Sequence, residues 1–201
     1  MKFFVNFLTA FRIAAAFAII PTLMFQLYWT SLILFVLAAL TDFLDGFLAR
    51  KYDVCTKLGG VMDHIGDKLL VVNTLIMLTV MMPVWFIVVP VIIMIARELY
   101  VSGLREFLGT QKIEMPVPHA RFSMGKVKTT FQMITVVAFL GLFALSTKIT
   151  PTTISKSYLI AMNWLSQIGI IGLWISLLAS VWSATQYTGT FIEKVKKIKK
   201  K

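Results

Sequence analysis

The 201-residue chain has one cysteine, Cys55, which excludes an intrachain disulfide and a thiolate metal cluster. Histidine is almost as scarce. His64 and His119 stand alone, with no second His or Cys at ligand spacing, which excludes the usual zinc motifs. Charged residues make up only 14% of the chain against 58% hydrophobic ones, far below the roughly 25% charge of a soluble domain, so an ordinary soluble fold is excluded too. Acid is scarcer than base, with nine Asp and Glu against twenty Lys and Arg. There is no internal repeat, which counts against an inverted-repeat transporter.

What is present in quantity is apolar sequence. A hydrocarbon core of about 30 Å needs roughly 20 apolar residues per helix. Six such stretches run over 6–25, 31–49, 59–81, 85–108, 124–145 and 158–187. The expected fold class is all-α: a polytopic membrane protein of six transmembrane helices in a single domain over residues 1–201. Pro21 and Pro90 fall inside two of these spans, while Pro83 and Pro151 sit near short turns.

The formal net charge of +11 does not point to nucleic acid, because the basic residues are spread between apolar spans. Of the twenty, only Lys148 and Lys156 fall on one side of the membrane. By the positive-inside rule the other side is the cytoplasm, and an even number of spans puts both termini there. The longer connections, 50–58 and 109–123, lie on that side, so function is expected at the cytoplasmic face. The tail over 189–201 holds six lysines beside Glu193, suited to contact with anionic headgroups or to a plain orientation anchor.

The N-terminus has a basic start and an apolar run, but no small-residue cleavage site leads into a polar chain, so it does not read as a signal peptide. Phe3, Phe4, Phe7, Leu8 and Phe11 recur at helical spacing against Lys2, Asn6, Thr9 and Arg12. This suits a short interfacial helix over residues 1–12 feeding the first span, and equally the ordinary start of a membrane helix.

All five aspartates fall between Asp42 and Asp67, although an isolated carboxylate is costly in an apolar setting and needs a cation or a proton. Asp42 and Asp45 are three apart, with Ala49 continuing the stripe and Gly46 adding a bare spot. Gly59, Asp63 and Asp67 step by four on the next helix. The short link makes the two helices neighbours, so four carboxylates can share one site at the cytoplasmic boundary. Oxygen-only ligation suits a hard cation, and two Mg²⁺ or Mn²⁺ ions would balance four negative charges and grip phosphates. The competing reading makes these acids helix caps or partners of Arg50, Lys51, Lys57 and Lys68. Asp53 is off both stripes and reads as an ordinary loop residue, as does Cys55; His119 reads as solvated.

The pattern Asp42-x-x-Asp45-Gly46-x-x-Ala49-Arg50, then eight residues to Gly59-x-x-x-Asp63-x-x-x-Asp67, resembles the signature of the CDP-alcohol phosphotransferases. The resemblance implies Asp42, Asp45, Asp63 and Asp67 as ligands of two divalent metals, with Asp67 also the general base. It implies Asp42, Gly46, Ala49, Arg50, Thr56 and Gly59 at the CDP moiety. His64 stands where many members have proline.

An acceptor that keeps a phosphate needs further cations. Arg97 and Arg105 are eight apart, roughly a quarter turn from each other on a helix. Lys126 and Lys128 open the fifth span, where helix N–H groups add to an anion site. Arg97, Arg105 and Lys126 are the expected acceptor-phosphate ligands. Lys128 and Lys112 read as orientation anchors, and Glu98 and Glu106 either orient the arginines or stay solvated.

With the segment at 6–13, these stretches resemble the bacterial phosphatidylglycerophosphate synthases, from Asn6 to about Gln132; the last span matches only in hydrophobicity. This implies transfer of a phosphatidyl group from CDP-diacylglycerol to glycerol 3-phosphate, giving phosphatidylglycerophosphate and CMP. The alternatives are a cardiolipin synthase, an inositol-phosphate or serine transferase, or a divalent-cation transporter. A homodimer is also implied, with Gly169, Gly172 and Ala179 as small contact points.

Overall fold

The computed structural model describes residues 2–52, 57–111, 124–147 and 156–198; for 2–6, 42–52, 57–61, 63, 64, 67, 124, 126, 197 and 198 it describes the backbone alone. The described residues form helices and turns without strands. Six helices follow in order: α1 (Lys2–Met24), α2 (Tyr28–Tyr52), α3 (Lys57–Met81), α4 (Trp85–Thr110), α5 (Met124–Ser146) and α6 (Lys156–Ile198).

Four of them, α1, α4, α5 and α6, are long and apolar enough to cross a membrane. The apolar parts of α2 and α3 are shorter, over Tyr28–Thr41 and Lys68–Met81, and stop where the aspartate segment begins. The helices themselves continue through that segment, each 25 residues long. Carboxylates interrupt the hydropathy without interrupting the backbone hydrogen bonding.

The expected interfacial helix over 1–12 is not a separate element, because α1 is unbroken from Lys2. Its polar face is also turned the other way. Thr9 and Arg12 are fully buried, whereas Phe7 is exposed. In a lipid-facing protein the apolar side meets the acyl chains and the polar side is sheltered within the bundle.

Tight turns make sequence neighbours antiparallel. Between α1 and α2, Gln26 takes a left-handed φ of 58°, and Ser31 Oγ donates to Thr22 Oγ1 at 2.9 Å across the pair. Between α3 and α4, Pro83 occupies the bend, and Met82 N donates to Leu78 O at 2.8 Å. Helix α1 runs parallel to α3, with Asn73 Nδ2 donating to Ala16 O at 2.8 Å. Helix α6 runs antiparallel to α5 and parallel to α4. The N-terminal ends of α1, α3 and α5 and the C-terminal ends of α2, α4 and α6 therefore share one end of the bundle.

The core through the middle of the bundle is mainly apolar, with Ile19, Phe35, Leu70, Leu75, Met94, Phe139, Leu140 and Leu173 all at most 1% exposed, and Thr74 and Thr135 buried alongside them. Large apolar side chains also cover the outside, among them Phe17, Ile33, Val80, Ile92, Trp164, Leu178 and Trp182. Such an exterior suits a multi-pass membrane protein. Helices α5 and α6 pack closely through small residues: a Cβ on Gly169 would lie 2.9 Å from Phe139 Cζ, and one on Gly172 2.7 Å from Thr135 Oγ1. These glycines are therefore taken up inside the chain, and Ala179 is buried as well, so none of the three is a dimer contact point.

Candidate active site at one end of the bundle

The motif aspartates stand on continuous helix. Asp42 and Asp45 lie on α2, Asp63 and Asp67 on α3, and α3 passes through His64 without a break. Spacings of three and four therefore give each pair a shared face. Both helices pack on α1 and touch each other. Gly46, Ala49 and Arg50 share α2 with the first pair, and Gly59 precedes the second pair on α3. Thr56, Asp53, Cys55 and His119 lie outside the described residues, as do the side chains of the four motif aspartates. Among the described residues no group of three His, Cys, Asp or Glu side chains gathers to hold a metal. As a donor set, four carboxylates supply the hard oxygen ligands that Mg²⁺ and Mn²⁺ take.

The helix contact next to Asp67 is close. A Cβ on Gly66 would lie 3.2 Å from Ile13 Cγ1 and 3.7 Å from Arg12 Cδ. Glycine lets α1 approach α3 there, and it brings the fully buried Arg12 beside the aspartate segment. The reading of Arg12 as the polar face of an interfacial helix missed this. Its burial points inward because a guanidinium held away from water is stable only among polar or anionic groups.

The basic cluster is built by α3, α4, α5 and α6 together. Glu98 is its hub. Its carboxylate meets Arg97 Nη1 at 3.0 Å and Lys68 Nζ at 3.7 Å, and it forms a third ion pair with Lys128. Lys68 Nζ also donates to Ser102 Oγ at 2.9 Å. Because Lys68 follows Asp67 directly, these contacts tie the aspartate-bearing end of α3 to α4. Lys128 is buried at 6% exposure, which corrects its reading as a surface anchor. Glu98 takes the orienting role, while Glu106 is exposed.

Arg97 is held by α6. Its Nε donates to Ser180 O at 3.0 Å and its Nη2 to Ser183 Oγ at 2.8 Å. Arg105, about two turns further along α4, donates from Nη2 to Tyr187 Oη at 2.7 Å. The Tyr187 ring centroid lies 4.9 Å from Arg105 Cζ and 5.8 Å from Arg97 Cζ, so the two expected phosphate ligands do come together. Lys126 is in the first turn of α5, two residues before Lys128, and its side chain lies outside the described set.

Sequence reasoning missed the contribution of α6. Ser176, Ser180, Ser183 and Tyr187 are all buried and recur at helical spacing along an otherwise apolar helix. That polar stripe was the available signal. Ser176 Oγ donates to Lys128 O at 3.3 Å, so the stripe meets α5 as well as α4.

One end of the bundle thus joins a carboxylate motif on α2 and α3 to a partly buried cluster of cations on α3, α4 and α5. The family model for CDP-alcohol phosphatidyltransferase matches residues 3–182. The chain belongs to that family. Among similar proteins, the CDP-diacylglycerol–glycerol-3-phosphate 3-phosphatidyltransferase of Rickettsia bellii (strain RML369-C) is 38% identical over 189 residues, covering 90% of this chain and 91% of the relative. Proteins of the same name from Rickettsia typhi (strain Wilmington) and Pectobacterium atrosepticum are 37% and 35% identical, covering 93% and 90% of this chain and 96% and 90% of theirs. The molecule is accordingly a membrane phosphatidyltransferase of the CDP-alcohol type, and the match includes the motif helices as well as α4 and α5.

Proposed function

We propose that this phosphatidyltransferase moves the phosphatidyl group of CDP-diacylglycerol to glycerol 3-phosphate, releasing CMP and forming phosphatidylglycerophosphate. The observation that carries the choice of acceptor is the pairing of Arg97 and Arg105 around Tyr187, at the same end of the bundle as the aspartate motif. Two guanidinium groups held together suit the oxygens of a terminal phosphate. The names of the relatives support the same substrate pair.

In this reading Asp42, Asp45, Asp63 and Asp67 would hold two divalent cations, Mg²⁺ or Mn²⁺, whose bound form neutralises pyrophosphate charge and favours in-line displacement. Gly46, Ala49, Arg50, Thr56 and Gly59 receive the CDP moiety, the small residues allowing close approach to the backbone. Arg97, Arg105 and Lys126 hold the phosphate of the acceptor. Asp67 takes the proton of the glycerol hydroxyl as its oxygen bonds to the phosphorus bearing the diacylglycerol. The bond from that phosphorus to the CMP oxygen breaks, and Arg50 holds the charge of the departing CMP. Positioning and charge stabilisation supply most of the acceleration.

The reading includes six spans, with α2 and α3 crossing alongside the four longer apolar helices, and it places the site and both termini at the cytoplasmic face. The acyl chains then remain in the bilayer while the soluble acceptor arrives from water. It also includes a homodimer, formed through a face other than Gly169 and Gly172.

The test is CMP release by the purified protein in detergent with Mg²⁺ or Mn²⁺ and CDP-diacylglycerol, offering glycerol 3-phosphate, phosphatidylglycerol, inositol phosphate or serine. Turnover with glycerol 3-phosphate alone is expected. Turnover with a different acceptor would keep the aspartate site and reject the phosphate pocket; no turnover with any acceptor would reject the proposed reaction.

A further inference from the structure

Arg97 and Arg105 carry like charges on one helix, and their repulsion favours orientations that keep them apart. One side chain faces both. The Tyr187 hydroxyl accepts from Arg105 Nη2 at 2.7 Å, and its ring lies 4.9 Å from Arg105 Cζ and 5.8 Å from Arg97 Cζ. A tyrosine ring presents negative potential on its face, so it attracts both guanidinium groups. The hydroxyl uses only one of the five N–H donors of Arg105.

Tyr187 is itself firmly placed. It is 9% exposed and stands on α6 one turn beyond Ser183, which receives Arg97 Nη2. One turn further, Phe191 meets Phe107 of α4 edge to face at 5.6 Å between centroids. Contacts one turn before and one turn after the tyrosine on α6 thus hold that helix against α4.

Resting on the reading that both arginines bind the acceptor phosphate, the geometry points to Tyr187 as the positioning residue that sets their spacing and tilt for one phosphomonoester. It acts through the arginines. The ring keeps two cations close enough to share a single phosphate, and the hydroxyl fixes which edge of Arg105 turns away from α6.

The test uses the full-length protein in detergent, with Tyr187→Phe and Tyr187→Leu, and reads four quantities: KM for glycerol 3-phosphate, KM for CDP-diacylglycerol, inhibition by inorganic phosphate, and Tm. Tyr187→Phe is expected to raise the acceptor KM about tenfold, the cost of one hydrogen bond to a charged group. Tyr187→Leu is expected to raise it about a hundredfold, since the aromatic face is lost as well. Inhibition by inorganic phosphate weakens in parallel, while the KM for CDP-diacylglycerol stays within about twofold. An unchanged acceptor KM in both variants, or equal movement of both KM values, overturns the inference. If the Leu variant does not fold, the Phe variant decides, because it removes one oxygen and keeps the ring packing. A wild-type protein inert with glycerol 3-phosphate would instead reject the proposed acceptor, and that result is read before any variant is made.

Discussion

The acidic half of the site and its basic half are built on different principles. The aspartates of α2 and α3 are local: two residues per helix, three or four apart, on faces that any regular helix would form. The cations are assembled across the fold, with Lys68, Arg97 and Lys128 arriving on Glu98 from three helices, and Arg105 meeting a tyrosine 82 residues away. A local motif survives as a readable pattern. A tertiary cluster leaves only single charges scattered along the chain.

The largest expected effect lies on the acidic side. Asp67→Asn should lower kcat by about 10³-fold, the scale of lost general-base catalysis, while CDP-diacylglycerol binding persists. Asp53→Asn should leave turnover intact. Equal loss in both variants, measured as CMP release, would mean that spacing does not select the working aspartates.

On the basic side, Glu98→Gln removes the shared partner of three cations. It should cost about 3 kcal/mol of stability, because breaking one member of a buried ion pair leaves charge uncompensated. Reversible unfolding in mixed micelles measures it. A change near zero would show that the Glu98 carboxylate does not hold the cluster together.

Arg105→Met should raise the KM for glycerol 3-phosphate roughly thirtyfold, as one charge-assisted contact is lost, with little change in Tm. Arg97→Met should do the same and also lower Tm, because Arg97 binds two α6 residues as well as Glu98. Identical Tm values for the two variants would mean that the several ties of Arg97 hold no more than the single bond of Arg105 to Tyr187.

The smallest effect tests the frame behind the cations. Gly172→Ala would force a methyl to 2.7 Å from Thr135 Oγ1, and overpacking of this kind costs about 1–3 kcal/mol. Activity should fall only as far as the folded fraction does. A specific rise in acceptor KM would instead mean that α6 moves against α4 when α5 is pushed.

Much of the fold was legible. All six apolar stretches correspond to helices, Pro83 lies in a bend, and the motif aspartates are on helix as their spacing requires. The first helix misled because amphipathicity alone does not say which face meets lipid: Thr9 and Arg12 turn inward, and Arg12 lies beside Gly66 and the aspartate segment. Lys128 misled for a related reason. A lysine at a helix start looks like an orientation anchor until a carboxylate from another helix is found buried against it.

The sequence by itself determined the membrane class, the six apolar stretches and the carboxylate motif, since hydropathy and spacing of three or four residues depend only on neighbours along the chain. Only the tertiary structure decided which charges are interior, that Glu98 gathers them, and that Tyr187 joins Arg97 to Arg105. Those facts depend on how α4, α5 and α6 pack, and packing is set by shape. Glycines at 169 and 172 admit Phe139 and Thr135, and the resulting register brings the polar stripe of α6 against the arginines of α4.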